Sequence, residues 1–249
     1  MLHPFSKNMK STYLVAMVIT FLLCTSCHES SIVIPKEFVE SVPPKIHSDE
    51  WHHLNYSHND FSVSINNGSL VVKKEVYGNG CEFKLPNGRL VGIDKGEWGG
   101  SLSYKPDDST QKTIEIQSGN IKFIFSFQGK IYFLEGSSHM GMRRGALYEI
   151  DTTNSIFTTN MVVNFHDAPD AYAIYEDKIL IATSENFFVV KNRNHELVFK
   201  KAFWSCLYPN SIAVLDEKNV FMGIRGGIVK LDIPAKTMKF YKYIPSTNK

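Results

Sequence analysis

The sequence predicts an all-β domain built from a repeated unit of four strands. From residue 61 onward, short runs rich in β-branched and aromatic residues alternate with turn clusters about every 8 to 12 residues. No segment in this part shows a sustained helical period. With 43% apolar and 12% aromatic residues, a chain of 249 residues can build one sizeable β core.

The repeat shows in the positions of corresponding strands. The third strands have similar sequences, as in Ala146 to Asp151 and Ile228 to Asp232. Second strands begin near Leu90, Ile131, Ile179 and Val220, about 40 to 48 residues apart, a period typical of propeller blades. We place the four repeats at about 80–118, 120–165, 168–204 and 207–244.

Residues 61–76, ahead of the repeats, predict a β-hairpin. Asn67-Gly68 supplies the positive φ angles of a tight turn between two alternating runs. The hairpin either belongs to an incomplete fifth blade or adds strands that close a ring. The predicted fold is therefore all-β and β-propeller-like, with four recognisable four-stranded repeats plus an N-terminal hairpin. A β-sandwich is the alternative.

The first residues predict an export signal. Lys7 and Lys10 precede an 11-residue apolar run from Tyr13 to Leu23, and either Met1 or Met9 can be the start. The run is shorter than the about 20 residues that a transmembrane helix needs.

The segment that follows, Cys24-Thr25-Ser26-Cys27, resembles the lipobox of bacterial lipoproteins. This resemblance implies a signal peptide over 1–26, lipidation of Cys27, and a membrane anchor in the bacterial envelope. His28 favours the outer membrane, facing the periplasm or the surface. Secretion without lipid and a retained anchor are the alternatives.

Residues 27–59 predict a tether between the lipid anchor and a single domain over 60–249. They are polar, contain Pro35, Pro43 and Pro44, and show no strand or helix period. A metal site needs ligands fixed by a folded scaffold. We therefore expect the histidines of this segment to be solvated rather than metal-bound: His47, His52, His53 and His58.

Charge and cysteine content narrow the function classes. Without Lys7 and Lys10, the chain has 25 basic and 25 acidic residues. This balance gives no basic stripe, so nucleic acid is not expected as a partner.

Cys81 and Cys206 remain in the exported domain. They either form a disulfide or are two buried free thiols.

The candidate binding residues follow from antiparallel alternation. If the strands of each repeat are named a to d, the b–c turns and the links from d to the next a lie on one side of the domain, here called the b–c face. Aromatic and charged side chains meeting in a concavity are typical of ligand sites, and arginine forks bind carboxylates or phosphates. The face gathers Glu97, Trp98, His139, Arg143, Arg144, Asp167, Asp170, Trp204, Tyr208, Asn210 and Arg225.

Some of these residues also have a structural interpretation. Glu97 and Arg225 could form a buried ion pair between blades. Trp98 and Trp204 could pack one blade against the next.

Several phrases of the chain resemble a family of bacterial hypothetical proteins. That family carries a Gly-Glu-Trp-Gly-Gly turn early and a Leu-Tyr-Pro-Asn-Ser … Gly-Met-Arg phrase late, and Ile224 stands where the family usually has Met. The resemblance covers about residues 85–233 and implies one unit with one shared face, but no activity. It rests on Gly96–Gly100, Gly145–Tyr148, Ala168–Ala171, Leu207–Ser211 and Gly223–Arg225.

Sequence motifs of common enzyme classes are absent. Outside the Cys24–Cys27 segment of the predicted signal, the chain has no Gly-x-Ser-x-Gly, His-Glu-x-x-His, Cys-x-x-Cys or phosphate loop. Pro209-Asn210-Ser211 resembles the Pro-Asn-Gly segment of gluconolactonase-like propellers, which bind a divalent cation. The resemblance implies a site made by Glu97, Asp167 and Asn210, which Arg144 and Arg225 would oppose electrostatically.

The sequence thus favours a non-enzymatic, lipid-anchored envelope protein without a cofactor. Its b–c face is expected to bind a protein partner or a small anionic ligand. A divalent-metal-dependent hydrolase of gluconolactonase-like type and an immunity-type protein that neutralises a toxin are the alternatives.

Overall fold

The computed structural model describes residues 32–74, 80–152 and 156–245. They contain the helix α1 (Asp49–Tyr56), a 3-10 turn at Gly96–Trp98 and nineteen strands. The strands are β1 (Phe38–Ser41), β2 (Phe61–Asn66), β3 (Ser69–Lys74), β4 (Cys81–Leu85), β5 (Gly88–Asp94), β6 (Gly100–Pro106), β7 (Ile114–Ser118), β8 (Ile121–Phe127), β9 (Lys130–His139), β10 (Met142–Asp151), β11 (Thr158–Asn164), β12 (Pro169–Tyr175), β13 (Lys178–Thr183), β14 (Phe187–Lys191), β15 (Asn194–Phe199), β16 (Ser211–Asp216), β17 (Asn219–Ile224), β18 (Gly227–Asp232) and β19 (Thr237–Tyr243).

Four antiparallel sheets follow one another along the chain. They consist of β4–β7, β8–β11, β12–β15 and β16–β19, each in sequence order. The first strands lie side by side, β4 beside β8, β8 beside β12 and β12 beside β16. The protein is therefore all-β and resembles a β-propeller. The predicted repeats are confirmed within a few residues, and the β-sandwich alternative is wrong.

The predicted hairpin forms a sheet of its own. β2 pairs with β3, and the turn places Asn67 and Gly68 at φ 48° and 74°, the left-handed region that Asn and Gly tolerate best. β2 packs beside β16, so the hairpin extends the series of sheets as a two-stranded fifth member.

The prediction of a tether over 27–59 is wrong for the part that the structure describes, because the compact unit begins at Ile34. β1 pairs with β19 and covers the outer edge of the last sheet. Helix α1 begins after Ser48, whose side chain accepts a hydrogen bond from the Trp51 backbone. Trp51 and Leu54 are buried in the core. A helix of eight residues, about two turns, with two apolar anchors gives a weak sequence period, so the pattern of this segment does not reveal it.

The core consists of apolar clusters between neighbouring sheets. Leu90 and Leu102 pack against Ile121 and Phe133, for example. Full burial of such a side chain contributes about 2 kcal/mol. Each space between neighbouring sheets is filled by alternate side chains of the facing strands, because successive side chains of a strand point to opposite faces of its sheet.

The predicted export signal and Cys27 lie outside the described residues. Within residues 32–74, 80–152 and 156–245, no helix combines the length and apolar character needed to span a bilayer.

Candidate functional site

Hydrogen bonds and ion pairs join the connections of the b–c face from one sheet to the next. Asn120 Nδ2 donates to the Gly96 carbonyl at 2.7 Å, which joins the first d–a link to the β5–β6 turn. Glu97 and His139 form a 2.9 Å contact between the β5–β6 and β9–β10 turns. The turns of consecutive sheets therefore meet on one side of the domain.

Arg143 continues this network to the next sheets. Its guanidinium pairs with Glu185 of the β13–β14 turn and donates to Ser205 Oγ at 3.2 Å in the link before β16. Because its guanidinium is occupied by these two contacts, Arg143 stabilises the face and is not free to bind a ligand.

A cleft of about 560 Å³ opens between the first two four-stranded sheets on this face. Its volume lies in the range of about 300–1,000 Å³ that is usual for small-molecule sites. The residues lining it are Gly96, Glu97, Gly99, Asn120, Ser137, His139, Met142, Arg143 and Arg144. Four predicted site residues therefore share one cavity: Glu97, His139, Arg143 and Arg144.

Arg144 is the accessible cation of this cleft. Its side chain is 67% exposed, and its Nε lies 3.7 Å from Glu135 Oε1, beyond hydrogen-bond distance. Burial raises the pKa of Glu135, and the Arg144 cation and a backbone hydrogen bond from Asn120 oppose this rise. Within the described part of the chain, no hydrogen bond occupies the outer nitrogens of the Arg144 guanidinium.

Three large apolar side chains are exposed on the two turns whose residues line the cleft, and one of them, Met142, lines it directly. Trp98 is 81% exposed, Met140 88% and Met142 75%. Trp98 stands in the 3-10 turn between Gly96 and Gly99, which adopt φ angles of 59° and 78°. The turn needs its glycines for backbone conformation, but nothing in the fold buries Trp98. The predicted packing of Trp98 between blades is therefore wrong.

Asp167 is a structural residue of the β13–β14 region. Its Oδ2 accepts hydrogen bonds from Thr183 Oγ1, from Asn186 Nδ2 at 2.7 Å and from the Glu185 backbone at 3.1 Å. Only 2% of Asp167 is exposed. Trp204 is fully buried in the apolar core, as its packing interpretation predicted. Neither residue presents a side chain to a ligand on the face.

The predicted Glu97–Arg225 pair is wrong, because each residue has another partner. Arg225 pairs with Asp60, and its guanidinium lies 4.2 Å from the centre of the Tyr208 ring. Asn210 Oδ1 accepts a hydrogen bond from Ser211 Oγ at 2.8 Å. Arg225, Tyr208 and Asn210 thus belong to the junction between the last sheet and the residues around α1, away from the cleft lining.

A second cluster of polar side chains lies where the inner strands β8 and β12 begin. Lys122 contacts Asp94 at 2.7 Å, and Ser184 Oγ donates to Asp170 Oδ2 at 3.0 Å. Burial raises the pKa of Asp170 to about 6, although the Lys122 cation and the Ser184 hydrogen bond favour the carboxylate. Asp167 and Asp94 add to the rise.

Sequence reasoning missed the residues that lie in strands rather than in conspicuous turns, such as Asp94 and Lys122. It also missed Asn120, which follows Gly119 in a short d–a link and could have been found as a turn signal.

The oxygen donors proposed for a divalent cation are not assembled. Glu97 contacts His139, Asp167 is enclosed by Thr183 and Asn186, and Asn210 is bonded to Ser211. Among the described residues, no group of three or more His, Cys, Asp or Glu side chains could hold a metal ion.

The histidines and cysteines of the described residues have separate environments. The His47 ring lies 5.3 Å from Trp51, and the His52 ring stacks 6.3 Å from Tyr56, so both belong to the folded segment. Cys81 is half-buried and Cys206 is exposed, and neither forms a disulfide. The expectation that both free thiols are buried is therefore wrong for Cys206.

Comparison with known proteins assigns no family to this chain. No protein-family model matches the chain, and no curated protein is similar in sequence. The crystal structure of the N-terminal domain of Nup159 is similar, with a TM-score of 0.37 and 12% identity. The match covers 76% of this chain and 57% of that chain, so the protein spans little more than half of that structure's length. No property of that protein transfers to this one.

Proposed function

We propose that this chain is a non-enzymatic, lipid-anchored binding protein of the bacterial envelope whose b–c face binds a partner protein. One observation carries the proposal. Trp98, Met140 and Met142 are exposed on the two turns whose residues line a cleft that also displays Arg144. Aromatic residues, Met and Arg are enriched in protein interfaces, and truncation of such anchors is what weakens binding most.

The proposal of a lipid anchor depends on the first 27 residues. The basic residues, the short apolar run and Cys27 resemble a bacterial lipoprotein signal, which favours an outer-membrane location. The resemblance to the family with the Gly-Glu-Trp-Gly-Gly turn supports the same face. In that phrase the fold accounts for Gly96 and Gly99, Glu97 contacts His139, and Trp98 is the exposed side chain left for another role.

The test is a pull-down from intact envelopes with the lipidated protein. A double variant, Trp98→Ala with Met142→Ser, removes two apolar anchors without touching the core. Tyr56→Ala is the matched control, because Tyr56 is also a large exposed aromatic residue but lies on α1. We expect the wild type and the control to capture the same partner and the double variant to lose it. Equal capture by all three would contradict binding through this face.

A small anionic ligand in the cleft is a second candidate, favoured by the unpaired guanidinium edge of Arg144. An exposed arginine fork binds carboxylates and phosphates with two parallel hydrogen bonds. Titration of the protein with small carboxylates, compared with an Arg144→Gln variant, tests this candidate separately from the pull-down.

A further inference from the structure

Asn120 carries an unused hydrogen-bond acceptor in the wall of the cleft. The residue is 1% exposed, and its Oδ1 has no partner among the described residues. Its Nδ2 donates to the Gly96 carbonyl at 2.7 Å, so the opposite orientation of the amide would face oxygen with oxygen. The orientation is therefore fixed, and the free atom is an acceptor that calls for a hydroxyl or amine donor.

Two further groups line the same cleft on neighbouring strands. Ser137 of β9 and Arg144 of β10 are direct cross-strand partners. Side chains in such pairs have Cβ atoms about 4.5–5.5 Å apart, close enough for both to contact one ligand. Ser137 can donate or accept a hydrogen bond, and Arg144 offers only donors and a positive charge.

Arg144 is the side chain of the cleft that can hold an anion. His139 contacts Glu97, and Glu185 neutralises Arg143. Arg144 is left with one carboxylate, Glu135, whose pKa burial raises and which lies at 3.7 Å. A single carboxylate on the ligand can pair with the outer nitrogens of Arg144, while Glu135 lies beside Nε.

The rim supplies an apolar surface for the remaining part of such a ligand. Met142 lines the cleft, and the exposed Trp98 lies between the lining residues Glu97 and Gly99. A compact molecule that combines a carboxylate, several hydroxyl groups and a C–H face matches this set. Simple carboxylates lack the hydroxyl groups, and neutral sugars lack the charge.

We propose that the cleft binds a hydroxylated carboxylate of the sugar-acid class, with Arg144 holding the carboxylate and Asn120 and Ser137 contacting hydroxyl groups. This inference rests on the second candidate function, the small anionic ligand, and it names that ligand's chemistry.

The test is calorimetric titration of the full chain, solubilised in detergent, with glucuronate as the probe. We expect saturable binding by glucuronate, and binding at least about 10-fold weaker for acetate and for glucose, which each lack half of the recognised groups. Methyl β-glucuronide distinguishes a sugar acid at a glycan end from a free one, because its anomeric oxygen is substituted. Binding of either form supports the class and assigns its source.

Variants locate the binding in the cleft. Arg144→Gln should weaken glucuronate binding by about 10-fold or more, and Ser137→Ala should weaken it less, because each removes hydrogen bonds of different strength. Arg193→Gln is the matched control, an exposed arginine in the opposite, c–d turn of the third four-stranded sheet. Both cleft variants change surface side chains, so folding can be verified by the melting temperature.

Three outcomes would overturn the inference. Equal affinity for acetate and glucuronate would show an anion site without hydroxyl recognition. Equal affinity for glucose would remove the role of Arg144. Absence of glucuronate binding, while the envelope pull-down still depends on Trp98 and Met142, would reject the sugar-acid site and leave the protein-binding proposal standing.

Discussion

Arg225 and Asp60 form a two-pronged ion pair, with Nε 2.9 Å from Oδ1 and Nη2 3.1 Å from Oδ2. The third nitrogen, Nη1, donates to the Asn55 carbonyl at 2.9 Å. The pair links the β17–β18 turn to the residues between α1 and β2. Gly223 shares this task, because a Cβ there would lie 2.0 Å from the Phe61 carbonyl oxygen. The Gly-Ile-Arg phrase is therefore explained by how the N-terminal segment attaches.

Arg225→Ala should lower the free energy of unfolding by about 2–3 kcal/mol, because it leaves the Asp60 carboxylate without its partner in a largely buried place. Chemical denaturation measures the change. Lys236→Ala removes an exposed ion pair with Glu196 and should stay within about 0.5 kcal/mol. Equal stability of the two variants would mean that the Arg225 pair does not hold the segment.

The N-terminal segment should be required for folding. Trp51 is buried, and its Nε1 donates to the Ser205 carbonyl at 3.0 Å. Trp51→Ala should therefore cost about 3–5 kcal/mol from lost packing and a lost hydrogen bond. Thermal melting of the variant and the wild type checks this value.

Shortened chains give an independent check. A chain that begins at Ile34 keeps β1 and α1, and it should melt close to the full protein. A chain that begins at Asp60 loses both elements, uncovers the edge of β19 and should be strongly destabilised or insoluble. Similar melting of both chains would restore the tether interpretation.

Asp170 should make stability depend on pH between about 4 and 6. Its pKa is about 6 in the folded protein against an ordinary value of 3.8, so in this window the folded state holds a proton that the unfolded state has released. Its contribution to stability therefore falls as pH rises through the window. At pH 7 the ionised, partly buried carboxylate costs up to about 3 kcal/mol, from 1.36 kcal/mol per pKa unit.

Asp170→Asn should remove this dependence and raise the stability at pH 7, because the amide oxygen can still accept the Ser184 hydrogen bond. Denaturant titrations at pH 4.5 and pH 7 compare the two proteins. Asp107→Asn, at an exposed carboxylate paired with Lys84, is the control and should change little at either pH. A variant with the same pH profile as the wild type would show that Asp170 does not titrate in this window.

The two thiols of the folded domain should differ in reactivity. Burial raises the pKa of Cys81 to about 11, so its thiolate is scarce at neutral pH, whereas Cys206 is exposed. In a chain that begins at Ile34, a disulfide reagent at pH 7.5 should label one thiol rapidly and the other only on unfolding. Cys206→Ser should abolish the rapid phase, and its survival in that variant would contradict the assignment.

The propeller-like architecture was predictable because each sheet is local in sequence. Strands joined by short turns pair with their chain neighbours, so a turn such as Asn67-Gly68 and the spacing of the second strands identify the sheet. The side on which the b–c turns gather also follows from alternation alone. For that reason Glu97, His139 and Arg144 could be placed on one face before any distance was known.

Pairing between distant residues was not predictable. Arg225 pairs with Asp60, 165 positions away, and not with Glu97, because α1 and β2 pack beside the last sheet. Asp167 and Trp204 are typical of site residues by sequence alone, but both are buried. Asp167 lies in a hydrogen-bonded turn, and Trp204 lies in the apolar core.

The sequence by itself determined the strands, their order within each sheet and the side that carries the unusual residues, because these depend on periodicity and turn chemistry over short distances. Only the tertiary structure decided which side chains remain available. Burial and ion pairing between sheets assigned Arg143, Asp167 and Arg225 to the scaffold and left Trp98, Asn120 and Arg144 with unused surface or hydrogen-bonding capacity. Those choices depend on which elements come into contact in three dimensions, which no local pattern records.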